Sequence, residues 1–164
     1  MNRMRTIAAL LALALAGCGD DGGGARMPAP GGTVGNKRHD TAGKGHRATI
    51  VLRGSDFGPM LFDSSKQAIY VFERDRRNES VCYGGCAKAW PPVLSEGAPE
   101  AGDGIRRSLL GTITRRGGRS QVTYAGRPLY FYAHEDAGEV LCHNVNLNGG
   151  LWWAVGADGE ARPA

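Results

Sequence analysis

The stretch AIYVFERDRRNESVCYGGCAKAW (68–90) is repeated in outline as PLYFYAHEDAGEVLCHNVNLNGGLW (128–152), and this duplication decides how the chain is read. Setting Ile69-Tyr70-Val71-Phe72 against Leu129-Tyr130-Phe131-Tyr132 places Asp75 opposite Glu135, Cys82 opposite Cys142 and Cys86 opposite Asn146 without a gap. A two-residue insertion later, Trp90 falls opposite Trp152. Each copy reads strand, turn, aromatic strand, acidic residue, cysteine loop, tryptophan.

Outward from these copies, short apolar or alternating runs predict strands at ATIVL (48–52), MLF (60–62), AIYVF (68–72), SLLGTIT (108–114), QVTY (121–124), PLYFY (128–132) and LWWAV (151–155). Turn signals separate them at Ser64-Ser65-Lys66, Gly117-Gly118 and Ala125-Gly126. One short helix is expected in the cysteine loop, about Gly85 to Trp90, ended by Pro91-Pro92. Gly97 to Gly104 reads as a linker loop. The expected fold is mostly β: two similar β-meander halves, about 48–95 and 105–158, packed with pseudo-two-fold symmetry as a small sandwich or barrel. Pairing the halves, or closing the sheets, would cover the exposed strand edges.

Upstream of this domain (48–164) the composition changes. Residues 1–17 carry Arg3 and Arg5 ahead of an apolar run from Ile7 to Leu15, too short for a membrane span, which needs about 20 residues. The run ends in Leu15-Ala16-Gly17-Cys18, which resembles the lipobox of bacterial lipoprotein signals. Removal of residues 1–17 would leave Cys18 as the lipid-bearing N-terminus, and two or more acyl chains anchor firmly where one does not. Residues 18–47 are rich in glycine, with Pro28 and Pro30, and are expected to form a disordered tether. His39 and His46 lie in it and are read as solvated. The chain of 164 residues has a formal charge of +4, but Arg3 and Arg5 leave with the signal, and the remaining basic residues are interspersed with acids. No nucleic-acid partner is therefore expected.

The repeat resembles a family of predicted bacterial secreted-repeat lipoproteins marked by a YxFxxD-type motif. The first half carries the motif as Tyr70, Phe72 and Asp75, followed by the cysteine loop CYGGCAKAWPP (82–92). The second half carries Tyr130 and Tyr132, with GTITR (111–115), QVTYAGRPLYFY (121–132) and GGLWWAV (149–155) in the family's style. Its acid departs from the pattern: Glu135 stands where an Asp is expected, and Asp136 lies one place late. The resemblance implies an exported lipoprotein with no established activity.

Four groups of residues are candidates for chemistry. In a strand, Tyr70 and Phe72 share a face, as do Tyr130 and Tyr132. These aromatics are expected to stack in the core between the halves, with Asp75 bonding backbone amides in the following turn. The functional alternative is an aromatic cleft rimmed by Asp75 and Glu135. With Cys18 lipidated, Cys82, Cys86 and Cys142 remain, an odd number in an oxidising compartment. One disulfide is expected, either Cys82–Cys86 or a link from Cys142 to one of them. The competing reading is a copper or zinc site built from Cys82, Cys86, Cys142 and His143, since thiolate and imidazole suit those metals. His134, beside Glu135 and Asp136, has no nucleophile placed to complete a catalytic set. On the last strand, Trp152 and Trp153 put one indole inward and one outward.

The function expected from the sequence is a lipid-anchored cell-envelope module, non-enzymatic, that binds an unknown ligand or has a structural role. It would need no cofactor, and its partners would be the membrane, through the anchor, and an unknown envelope component. In a Gram-negative cell the outer membrane is the expected location, because Gly19 follows the cysteine. The alternatives are a redox or copper- or zinc-binding lipoprotein using the cysteine–histidine set, and a hydrolase of surface polymers acting through Asp75 and Glu135.

Overall fold

A computed structural model describes residues 46–163. Cys18, the signal segment and most of the tether lie outside the described residues.

Among the described residues nine strands form three small sheets with no closed barrel. β1 (Thr49–Arg53) lies between β2 (Met60–Asp63) and β4 (Glu100–Ala101). β9 (Gly150–Ala154) lies between β3 (Tyr70–Phe72) and β8 (Val145–Leu147). β6 (Ser120–Tyr124) lies between β5 (Leu110–Thr114) and β7 (Arg127–Pro128). One α-helix, α1, is found among the described residues and spans Gly85–Ala89. The mostly β, two-half architecture read from the sequence is thus the one observed.

The halves meet at one point of local symmetry. Tyr70 and Tyr130 face each other in an antiparallel bridge, each N–H donating to the other's carbonyl at 2.9 and 3.0 Å. About this bridge the halves exchange their tryptophan strands. β9, from the end of the second half, pairs with β3 of the first, with Phe72 opposite Trp152 and Tyr70 opposite Ala154. In the reciprocal arrangement, residues 89–93 run against 129–133: Ala133 N–H bonds Ala89 O at 2.9 Å, Phe131 N–H bonds Pro91 O at 2.8 Å, and Val93 N–H bonds Leu129 O at 2.9 Å. The exchange reaches the next strands, where Leu61 N–H bonds Val155 O and Val122 N–H bonds Val93 O, both at 2.8 Å. The halves are therefore interlocked, where independent meanders would only abut.

The exchange explains why the repeated run is apolar at nearly every position, since a strand covered on both faces cannot alternate with polar residues. Ile69, Val71, Leu129 and Phe131 enter one core with Val122, Tyr124 and Val155. Tyr70, Phe72 and Tyr130 enter the other with Trp90, Trp152 and Cys142. In this second core Trp90 and Trp152 stack at 3.7 Å with 1° between their planes. Each is met edge-on by the tyrosine that begins its own repeat, Trp90 by Tyr70 at 5.5 Å and Trp152 by Tyr130 at 5.2 Å. Each is flanked by the other motif aromatic of the half it has crossed into, Trp90 by Tyr132 at 4.7 Å and Trp152 by Phe72 at 4.3 Å. A buried aromatic removes 150–250 Å² from water, on the order of 4–6 kcal/mol each as an upper bound. Trp153, the neighbouring indole, is only partly buried and packs against the first core.

Several boundaries differ from the sequence expectation. The 128–132 run is a regular strand only at Arg127–Pro128 and then continues through isolated bridges. Its neighbour contains Pro91 and Pro92, which offer carbonyls but no N–H, so the ladder cannot close on both sides. The 97–104 linker contributes β4, parallel to β1. The 108–114 run begins with a 3-10 turn, Arg107–Leu109, before β5. β8 was not expected. Its signal was the Asn148-Gly149 pair, both at positive φ (56° and 83°), which makes the tight hairpin turn into β9.

Candidate functional site

The motif residues form two tyrosine–carboxylate pairs, each crossing between the halves. Tyr70 Oη donates to Glu135 Oε1 at 2.6 Å, and Tyr130 Oη donates to Asp75 Oδ2 at 2.6 Å. Each carboxylate also accepts a backbone N–H from six residues further along its own loop, Asp75 Oδ1 from Val81 at 2.8 Å and Glu135 Oε1 from Leu141. Those N–H groups lie directly before Cys82 and Cys142. Each acid therefore shapes its own cysteine loop and fastens it to the tyrosine of the opposite half. The extra methylene of Glu135 does not break the pattern: the carboxyl still reaches both donors, though through a single oxygen, and Oε2 has no partner among the described residues.

The Tyr130–Asp75 pair sits in a larger buried network. Ser80 Oγ lies 2.7 Å from Tyr130 Oη and accepts from Arg115 Nη1 at 2.9 Å. Arg115 also donates to Gln121 Oε1 and, at 2.6 Å, to Cys82 O, and its guanidinium lies over the Tyr83 ring at 4.3 Å. Gln121 Nε2 completes the set by donating to Leu129 O at 2.8 Å. An arginine only 5% exposed is held by this density of acceptors. Sequence reading missed Ser80, Arg115 and Gln121. Arg115 sits in a polar turn sequence, TRRGGRS, that carries no local sign of burial.

Electrostatics follow from burial. Desolvation raises the carboxyl pKa of both Asp75 and Glu135, against the hydrogen bonds from Tyr130 and Tyr70 that favour the charged forms. Burial also raises both phenols, reinforced by the neighbouring carboxylates, so Tyr70 and Tyr130 act as donors at any physiological pH. The cysteines divide. Cys82 and Cys86 are joined in a disulfide with Cα atoms 5.3 Å apart, and Cys142 is a free, buried thiol. Burial, then the Glu135 charge, pushes that thiol up to about 11. His143 is buried away from any metal-like arrangement: Nδ1 accepts from Ala154 N–H at 3.3 Å, and Nε2 lies 3.1 Å from Pro163 O. Among the described residues no three His, Cys, Asp or Glu side chains converge as a group that could hold a metal ion. His134 is exposed, its ring 5.4 Å from that of Tyr132.

Chemically, this arrangement ties both motif acids to a phenol and a backbone amide, with their tyrosines in the core. It joins loops to core.

Comparison with known proteins agrees with the duplicated architecture. A family model described as a secreted repeat of unknown function matches the chain twice, at residues 53–94 and 111–156. No curated protein and no solved structure matches it. The two matched segments coincide with the two halves and together span more than half of the chain, which therefore belongs to this family of secreted repeats of unknown function.

Proposed function

We propose that the protein is a lipid-anchored, non-enzymatic module of the bacterial cell envelope, held through Cys18 and, in a Gram-negative cell, attached to the outer membrane. It presents a rigid duplicated β domain that binds an envelope component or has a structural role there. The observation that carries this reading is the reciprocal use of the motif: Tyr70 with Glu135 and Tyr130 with Asp75 are mutually engaged, so the residues that define the repeat maintain the joint between its copies. A side chain committed to a buried structural contact is poorly suited to proton transfer with a substrate.

The test is the intact mass of the full chain expressed with export, recorded native and denatured, with and without thiol alkylation. The expected result is loss of residues 1–17, a lipid mass on Cys18 that disappears in Cys18→Ser, no metal mass, and one alkylated thiol that appears only on denaturation. A copper or zinc mass released with the protection of Cys82, Cys86 or Cys142 would instead establish the metal-binding alternative. Turnover of a surface polymer abolished by Asp75→Asn would refute the non-enzymatic reading.

A further inference from the structure

The internal symmetry supplies a control for judging which surface charges the fold requires. The loop after each motif acid is fastened to the hairpin turn of the other half by an equivalent bond: Asn78 N–H to Gly126 O at 2.6 Å, and Gly138 N–H to Lys66 O at 2.8 Å. Asn78 and Gly138 both take positive φ (58° and 91°), so the two backbone settings correspond residue for residue. Their side chains do not. Arg76, Arg77 and Arg127 surround the first setting, and the register places Asp136, Ala137 and Gln67 at the second. The same backbone forms with no arginine at these positions, so the fold does not require the three guanidinia.

They line a cleft of about 220 Å³ that also includes Asp75, Pro128 and Glu160. Arg76 makes no side-chain hydrogen bond or ion pair among the described residues. Arg77 uses one Nη donor on Ala125 O at 2.7 Å. Arg127 has a loose contact with Glu160, at 3.8 Å, whose side chain is 66% exposed, and feels the Asp75 charge without a hydrogen bond to it. A pair this long and this wet is weak, so an incoming anion can displace it. Asp75 has both oxygens bonded, to Tyr130 and to Val81 N–H, and does not compete for the guanidinia by hydrogen bonding. Each guanidinium carries five N–H donors in a planar fork suited to an oxyanion, and most of them are uncommitted here.

We propose that this cleft, at the junction of the two halves, binds a phosphate-type oxyanion through Arg76, Arg77 and Arg127. The proposal deepens the reading of the protein as an envelope binding module and rests on it. Phosphate is the shared chemistry of free inorganic phosphate and of phospholipid headgroups, and the experiment separates the two sources.

The full exported chain in nonionic detergent, labelled with 15N, is titrated with inorganic phosphate and separately with dihexanoyl phosphatidylglycerol below its micelle concentration. The arginine Nε–Hε resonances are followed. Saturable shifts at Arg76, Arg77 and Arg127 are expected. Arg76→Gln/Arg127→Gln should weaken binding by about tenfold or more, whereas the charge-matched Arg53→Gln/Arg107→Gln pair should stay within about twofold. Saturation by inorganic phosphate supports the site with a free anion as sufficient. Saturation by phosphatidylglycerol alone supports it with the lipid headgroup as the source. If neither saturates, or if both double variants weaken binding equally, the proposal is overturned. Arg76→Gln alone removes no bond of the fold, so it must also weaken binding, even if the double variant is unstable. Absence of binding leaves the non-enzymatic module intact, since that reading fails only on turnover or metal content.

Discussion

Replacing Tyr70 by Phe tests the crossing of the motif directly. The substitution removes one hydroxyl and leaves the ring against Trp90, so packing is retained while Glu135 Oε1 loses its 2.6 Å donor. Glu135 is 4% exposed and its Oε2 already has no partner, so only the backbone N–H groups of Leu141 and Cys142 would remain to support its carboxyl. A hydrogen bond to a charged group contributes about 1.5–3 kcal/mol, and an orphaned buried acceptor adds to the loss. We expect Tyr70→Phe to destabilise the domain by about 2 kcal/mol, roughly 8 °C in Tm for a domain of this size. Urea unfolding followed by tryptophan fluorescence measures it. The stronger form is a double-mutant cycle. Tyr70→Phe and Glu135→Gln, in different halves, should couple by about 1–2 kcal/mol, whereas Tyr70→Phe and Asp75→Asn, in the same half, should add to within about 0.5 kcal/mol. Coupling within the half and none across it would refute the exchanged arrangement.

Two further outcomes follow from the same geometry. Asp75 and Glu135 both have folded-state pKa values above their unfolded ones, so their protonation favours the native state. That contribution is fully present below the unfolded values and is lost as pH rises through the folded ones. The stability of the wild type relative to Asp75→Asn/Glu135→Gln should therefore improve as pH falls from about 7 to about 4, and a gap that widens against the wild type would contradict it. Separately, a chain nicked at the exposed Gly97 should remain associated and unfold in one transition, because each half completes the other's sheet. The isolated halves, residues 46–97 and 98–163, should show no cooperative unfolding, and a stable isolated half would overturn the interlocked fold.

The duplication was plain in the sequence, since a gap-free register over two aromatic positions, an acid and a cysteine needs no tertiary information. So were most strands, because burial on two faces imposes apolar runs that local reading detects. Cleavage and lipidation, also read from the sequence, concern residues outside the described part of the chain. Partner choice, by contrast, was decided only by the tertiary structure. When two halves carry equivalent strands, a tryptophan strand fits its own half or the other equally well by pattern, and only packing of the whole domain selects the exchange. The crossing of Tyr70 to Glu135 and of Tyr130 to Asp75 follows from that selection. The same holds for the disulfide: spacing allowed either the short Cys82–Cys86 loop or a bridge to Cys142, and the structure forms the first while burying the third thiol beside Glu135. Arg115 shows the limit most clearly. Its turn reads as solvated charge, yet it is buried because Ser80, Gln121 and the carbonyl of Cys82, up to 35 residues away in sequence, converge on it. Periodicity reports which face of a strand is covered. What covers it is a matter of non-local pairing, which a local pattern does not encode.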